Sequence, residues 1–224
     1  MSLSLFVAGT DTGIGKTHAA CTLIHALRAA GHSVCGMKPV ASGCVETVHG
    51  LRNEDALALQ AASAPPPVYE EINPVALREP LSPHLAAAHE GVTITLPSLH
   101  AAFQKLSARY DAVVVEGVGG WRVPLSSGLL TSELPKAWDL SVVLVVGLRL
   151  GCLNHALLSA EAIRADGCRL VGWIGNCIDP SMAAIEENIA TLRTLLPIPC
   201  LGLLPHGVSP EQASNLLDLA TLRF

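Results

Sequence analysis

Residues 9–18 read GTDTGIGKTH. The segment closes as a phosphate-binding loop closes, on Gly15-Lys16-Thr17, but five residues separate Gly9 from Gly15 where the common pattern G-x-x-x-x-G-K-[ST] has four. Such a loop needs backbone N–H groups turned in around an anion, glycines that permit the curvature, and a helix N-terminus whose dipole favours negative charge. The surroundings supply all three. FVAG at 6–9 has strand character, the Gly-containing turn follows at once, and Ala20, Leu23, Ile24 and Leu27 then recur at helical spacing until Gly31. In that context Lys16 reaches the β- and γ-phosphates of a nucleotide and the Thr17 hydroxyl ligates Mg²⁺. The competing reading is a Gly-rich strand-to-helix turn with a solvated lysine.

The same alternation runs outward through the chain. LSLFVAG, SVCGM, DAVVVEG, LSVVLVVG, LVGWIGN and PCLGLLP have strand length and β-branched or Leu-rich content. Between them lie helical patterns: Leu153, Ala156, Leu157 and Ala160 repeat the spacing before Gly167, and Met182, Ile185, Ile189 and Leu192 share one helix face. Parallel strands need crossovers and helices are the usual crossover, so the fold class is α/β: a doubly wound, mainly parallel sheet flanked by helices, P-loop NTPase-like. Ligands then collect at the carboxyl ends of the strands. Residues 63–90 are the exception, broken by Pro65, Pro66, Pro67, Pro74, Pro80 and Pro83; they read as an ordered excursion carrying two short helices. No flexible linker or internal repeat marks a boundary, so one domain over residues 1–224 is expected.

Composition agrees with this architecture. Half the residues are apolar and only 4% aromatic, the palette of strands buried on both faces by Val, Leu, Ile and Ala. A chain of 224 residues buries roughly 70% of the surface its unfolded form exposes. The net charge of −5 gives no broad attraction for nucleic acid or anionic lipid. MSLSLFVAGT lacks the basic start and long apolar stretch of a signal peptide, and no apolar run reaches the ~18 residues of a membrane span. The seven cysteines form no C-x-x-C pair or regular framework and read as reduced core thiols, so a soluble, cytoplasmic protein is expected. With only four lysines, Lys16, Lys38, Lys105 and Lys136, each position matters.

Three further positions carry chemistry. In YDAVVVEGVGG, residues 110–120, a buried-type strand ends abruptly at Glu116, where a magnesium ligand of a nucleotide-hydrolysing fold belongs; a solvated glutamate starting a loop is the plainer reading. Lys38 ends the second strand pattern, beside the loop. Asp55 in LRNEDALAL reads by itself as an ordinary helix-start carboxylate.

GTDTGIGKT, MKPVASG at 37–43, LRNEDALAL at 51–59, NPVALREPLSPHLAA at 73–87, VVVEGVGGWRVPL at 113–125 and VVGLRLGCLNHALL at 145–158 together resemble the dethiobiotin synthetase family. The likeness runs in order over residues 5–176 and weakens in the last fifty. In that family the longer loop is the normal form. The resemblance implies an ATP- and Mg²⁺-dependent ligase that joins CO₂, drawn from bicarbonate, to 7,8-diaminopelargonate and closes the ureido ring of dethiobiotin. An amine traps CO₂ as a carbamate, the γ-phosphoryl passes to it to form a carbamic-phosphoric anhydride, and the neighbouring amine expels phosphate. Such chemistry is mostly positioning and charge stabilisation.

The resemblance also assigns residues. Lys16 and Lys38 flank the transferring phosphoryl and the carbamate. Thr17, Asp55 and Glu116 are the protein's share of the Mg²⁺ shell. Gly13, Ile14, Gly15 and His18 of the loop, with Gly117, Val118 and Gly119 after Glu116, surround the nucleotide. Thr12 and Ser42 hydrogen-bond the carbamate or diamine, although either is equally a turn residue bonding its own backbone. Asn176 at the end of WIGN reads the adenine edge, since its amide both donates and accepts; Cys177, Pro205, His206, Gly207 and Glu211 complete the pocket, with a surface histidine and a first-turn glutamate as the plain readings of the last His and Glu. Leu150, Gly151, Cys152 and Asn154 hold the substrate carboxylate across a homodimer interface, at a helix N-terminus whose first-turn donors suit an anion; a helix merely capped by Asn154 is the alternative. Gly13 departs from the family, being acidic in some members. Trp121 and His84 read as structural, and His84 and His89 lie at a spacing that does not share a helix face for zinc.

Two rival classes remain. An ATP-dependent amidoligase acting on a corrin-type macrocycle shares loop and fold but generally carries a glutaminase domain, for which this chain has no room. A nucleotide-switched partner protein would use ATP to dimerise on membrane or DNA, yet SNLLDLATLRF at 214–224 offers only Arg223 as a cation.

Overall fold

The computed structural model describes residues 3–222, so Arg223 lies outside the described residues. Six parallel strands form the central sheet: β1 (Leu5–Gly9), β2 (Val34–Met37), β3 (Ala112–Glu116), β4 (Ser141–Gly147), β5 (Leu170–Asn176) and β6 (Cys200–Leu204), ordered β6-β5-β4-β1-β3-β2. They are the six apolar runs of the sequence. β1 lies between β4 and β3, with Gly9 opposite Val145 and Val7 opposite Glu116. After β2 and β3 have filled one side the chain crosses to the other, so the carboxyl end of β1 is the switch point where ligands of such sheets bind.

The helices are α1 (Lys16–Ala29), α2 (Glu54–Ala62), α3 (Tyr69–Ile72), α4 (Pro83–Glu90), α5 (Leu96–Ser107), α6 (Glu133–Ala137), α7 (Cys152–Ala165), α8 (Ile185–Leu195) and α9 (Pro210–Ala213). Alternation along each strand sends side chains to opposite faces, and both faces are apolar. Phe6, Val113, Val115, Leu144 and Val146 pack with Leu99, Phe103 and Leu106 of α5, Ala156 and Ile163 of α7, and Ile189 and Leu192 of α8. Leu5, Val7, Val114, Val143 and Val145 pack on the other side with Ala20, Leu23, Ile24 and Leu27 of α1 and Ala56 and Leu59 of α2. Truncating any of these leucines to alanine would cost about 2–5 kcal/mol through lost transfer energy and the cavity left.

Residues 63–90 carry two short helices, α3 and α4, with Val75–Ala76 paired to Val40–Ala41 between them. One expectation fails. Met182 does not share a helix with Ile185, Ile189 and Leu192, because α8 starts at Ile185 after Ala184, which sits in the left-handed region at φ 54. Met182 still packs against the core, partly buried, so the apolar spacing recorded packing rather than helix length. Among the described residues no helix is long and apolar enough to cross a membrane.

Candidate active site

The loop after β1 stays tied to the sheet through Thr10, whose N–H donates to the Val145 carbonyl of β4 at 3.1 Å. It then turns through Gly13 (φ 73) and Gly15 (φ 79) into α1, whose N-cap, Gly15, has no side-chain cap. First-turn N–H groups without a cap suit an anion. Gly15 is required twice over. Its φ disfavours any side chain, and a Cβ there would fall 2.0 Å from Asn176 Nδ2, which donates to the Ile14 carbonyl at 2.9 Å. Gly9 is required by Lys16, whose Cδ would stand 2.7 Å from an added Cβ as the lysine stem folds back over the loop.

Lys16 is buried, and its ammonium donates to the Asp11 carbonyl at 2.7 Å. Burial first, and then repulsion from Lys38, lowers its pKa to about 8, against weaker attraction from Glu116, Asp55 and Asp11. Lys38, just beyond β2, is also buried and donates to Glu116 Oε1 at 2.6 Å and Asp55 Oδ2 at 2.9 Å. Burial works to lower its pKa, but the charges and hydrogen bonds of Glu116 and Asp55 outweigh it and hold the ammonium charged above its ordinary range.

Glu116, at the end of β3, is 1% exposed and also accepts from the Thr17 hydroxyl at 3.0 Å. Its Oε2 is buried with no hydrogen-bond partner among the described residues. Burial pushes the Glu116 carboxyl upward, only partly offset by Lys38. Asp55 lies in the first turn of α2, after the N-cap Asn53, whose side chain caps the helix by accepting from Ala56 N–H. Partial burial would raise its pKa, but the Lys38 charge and hydrogen bonds from Lys38 and Thr17 hold it below the usual carboxylate range.

These groups share one cleft of about 890 Å³, lined by Asp11, Thr12, Gly13, Gly15, Lys16, Thr17, Lys38, Ser42, Asp55, Glu116, Val118 and Gly119, together with residues 80–83. Ile14 is buried beneath the loop and packs into the core. Gly117 sits behind the cleft, with its carbonyl 3.4 Å from the Lys38 ammonium. A second cavity of about 540 Å³ is lined by Gly13, His18, Asn176, Cys177, Pro205, His206 and Gly207. Gly13 lines both, so the two adjoin at the loop. His206 Nδ1 lies 3.3 Å from the Cys177 carbonyl. His18 Nε2 is buried with no hydrogen-bond partner among the described residues, and burial lowers the ring's pKa.

Several positions stay apart. Glu211, in the first turn of α9, lines neither cavity. Leu150, Gly151, Cys152 and Asn154 also line neither; Cys152 is buried, while Leu150 is 94% exposed. Gly151 (φ 94) is the N-cap of α7 and no side chain caps that terminus, so Asn154 does not act as the cap. Lys105 and Lys136 are exposed on α5 and α6. Trp121 has a packing role, edge-on to Phe6 and donating to Asp166 at 2.7 Å. All seven cysteines are free thiols.

Sequence reading passed over two charged neighbours of the loop. Asp11 lies inside the opening motif, and its carboxylate accepts from Arg149, just past β4. The position of LRLG at a strand's carboxyl end was the available signal, but nothing local paired residues so far apart in sequence.

A family model described as "AAA domain" matches residues 4–212. The chain is 59% identical to ATP-dependent dethiobiotin synthetase BioD of Xylella fastidiosa (strain 9a5c), over 94% of this chain and 95% of that one. It is 56% identical to the protein of the same name from Xanthomonas oryzae pv. oryzae (strain PXO99A), over 96% of each. Among solved structures it resembles the signal recognition particle receptor FtsY from Elizabethkingia anophelis, with TM-score 0.56, 15% identity, and 93% of this chain and 59% of that one covered. Chloroplast FtsY from Physcomitrella patens gives TM-score 0.52 at 17% identity, with 95% and 61% covered. The chain thus spans about three fifths of these two structures. At such identities they show the fold alone.

Proposed function

The chain belongs to the ATP-dependent dethiobiotin synthetases, ligases that form C–N bonds in biotin biosynthesis, and from that premise we propose that the cleft over α1 is where ATP phosphorylates a carbamate of 7,8-diaminopelargonate. The observation that carries this reading is the placement of two buried ammonium groups, Lys16 and Lys38, around one uncapped helix N-terminus. The triphosphate lies in the loop, and its negative charge draws the Lys16 ammonium from the Asp11 carbonyl. One substrate amine holds CO₂ as a carbamate, whose oxygen attacks the γ-phosphorus; ADP leaves; the second amine then attacks the carbonyl carbon and phosphate departs. No covalent protein nucleophile is needed. Lys16 and Lys38 stabilise the charge on the transferring group, and Thr12 and Ser42 hydrogen-bond the carbamate or diamine from the cleft wall.

Thr17, Asp55 and Glu116 fit a bound Mg²⁺. They offer hard oxygens from three separate elements, Asp55 is open to the cleft, and Glu116 Oε2 is buried and unpartnered. When bound, the ion neutralises phosphate charge and orients the polyphosphate. Gly13 brings no charge against the phosphates. The second cavity takes the adenine: Asn176 keeps its Oδ1 as an acceptor while Nδ2 holds Ile14, and Cys177, Pro205, His206 and Gly207 form the walls.

The 150–154 segment completes the site of a second copy in a homodimer. Its support is the almost fully exposed Leu150 beside an uncapped helix N-terminus that lines neither cavity of its own chain. The test is a bicarbonate-fixation assay with the diamine, ATP and Mg²⁺. ADP release is expected to require diamine and CO₂ together; equal ATP turnover without the diamine would support the nucleotide-switch reading instead.

A further inference from the structure

Asp11 is the anomaly of the loop, a carboxylate in a segment read above as the cradle of a triphosphate. Each of its oxygens is engaged. Oδ1 accepts from Thr12 N–H at 2.7 Å, the carbonyl accepts from the Lys16 ammonium at 2.7 Å, and Oδ2 accepts from Arg149 Nη2 at 2.5 Å. Arg149 reaches it because β1 is paired in parallel to β4 up to its own last residue, Gly9 against Val145, so the loop that follows β1 starts beside the carboxyl end of β4. The two side chains are 41% and 46% exposed, and a pair so open to water adds little to folding stability. Its consequence is local: it cancels a negative charge beside the phosphate site and fixes the residue that holds both Thr12 and Lys16.

We propose that Arg149 is a positioning residue for nucleotide binding, which neutralises and orients Asp11 so that the loop accepts a polyanion. This rests on the reading of the loop as the triphosphate site. Without the guanidinium, a bare carboxylate faces the phosphates, and the repulsion grows with their number.

Calorimetric titration of Mg²⁺ with ATP, ADP and AMP at fixed ionic strength tests it. Arg149→Gln is expected to weaken ATP binding about 10-fold, equivalent to about 1.4 kcal/mol, ADP less and AMP least. Its melting temperature should stay within about 2 °C of the parent, as befits an exposed pair. Arg149→Lys should retain most of the affinity. Adding Asp11→Asn to Arg149→Gln should recover ATP binding to within about 3-fold of the parent, since the charge is gone and the amide oxygen still accepts from Thr12. Parental ATP affinity in Arg149→Gln, equal losses for ATP and AMP, no recovery in the double variant, or unfolding in Arg149→Gln would each overturn the proposal. Lys16→Met separates the two readings: if it binds ATP normally, the triphosphate lies elsewhere and the site assignment fails, whatever Arg149 does.

Discussion

The Lys38 ammonium lies 2.6 Å from Glu116 Oε1, with the two side chains 4% and 1% exposed. A charge pair so deeply placed brings little net stability when intact, but losing one partner leaves the other uncompensated, at about 3–5 kcal/mol. Lys38→Met is therefore expected to lower the melting temperature by roughly 8–15 °C and the rate by ~100-fold or more. Added Mg²⁺ should recover part of the stability in the variant. Thermal unfolding with and without Mg²⁺ checks this; a variant melting like the parent would show that the pair is not maintained in solution.

Glu116→Gln keeps the shape and one acceptor for Lys38 and Thr17 but replaces the unpartnered Oε2 with a donor. The fold should persist by circular dichroism, while turnover falls by ~100-fold or more and half-maximal Mg²⁺ rises by at least ~10-fold. An unaltered Mg²⁺ titration would remove Glu116 from the proposed metal shell.

Lys16 makes the ligand-free protein pH-sensitive in a specific direction. Its folded pKa is about 8 against an ordinary 10.5. Between those values the unfolded chain holds a proton that the folded chain has lost, so stability rises with pH across that window. Below it, burying the charged ammonium near Lys38 costs about 3 kcal/mol. Lys16→Met should thus melt several degrees higher than the parent at pH 7, with the gap closing by pH 10, yet lose stabilisation by ATP. Differential scanning fluorimetry across pH reads both effects; a gap that widens with pH would contradict the sign.

Gly15→Ala is expected to destabilise by about 1–3 kcal/mol, because it combines left-handed backbone with a Cβ in the space of the Asn176 amide. Gly13→Ala shares the positive φ but meets no atom within 4 Å, so its cost should stay near ~1 kcal/mol. Denaturant unfolding of the two variants separates strain from collision. Equal losses would mean that Asn176 moves aside freely.

Six strands, the turn into α1 and the proline-broken excursion were legible in the sequence because each is written in local patterns: apolar runs, helical spacing, Gly and Pro punctuation. Lys16, Thr17 and Glu116 were legible for a related reason, since a loop, a helix start and a strand end place them whatever the rest of the chain does. Asp55 was ambiguous by itself, since a carboxylate at a helix start looks the same whether it serves the helix or a distant lysine. Met182 misled because apolar spacing records burial, and a residue in a turn buries as well as one in a helix.

What the sequence determined alone was thus the layered α/β class, the glycine-rich turn from β1 into α1 and, through an ordered set of motifs, the family. The tertiary structure alone decided how charge is shared: Lys38 between Asp55 and Glu116, Asn176 against Ile14, Arg149 on Asp11. Those contacts join residues 17 to 162 positions apart, and no local pattern encodes them. They exist because parallel strand pairing gathers the ends of β1 to β5 along one edge of the sheet, where buried charge must find a partner.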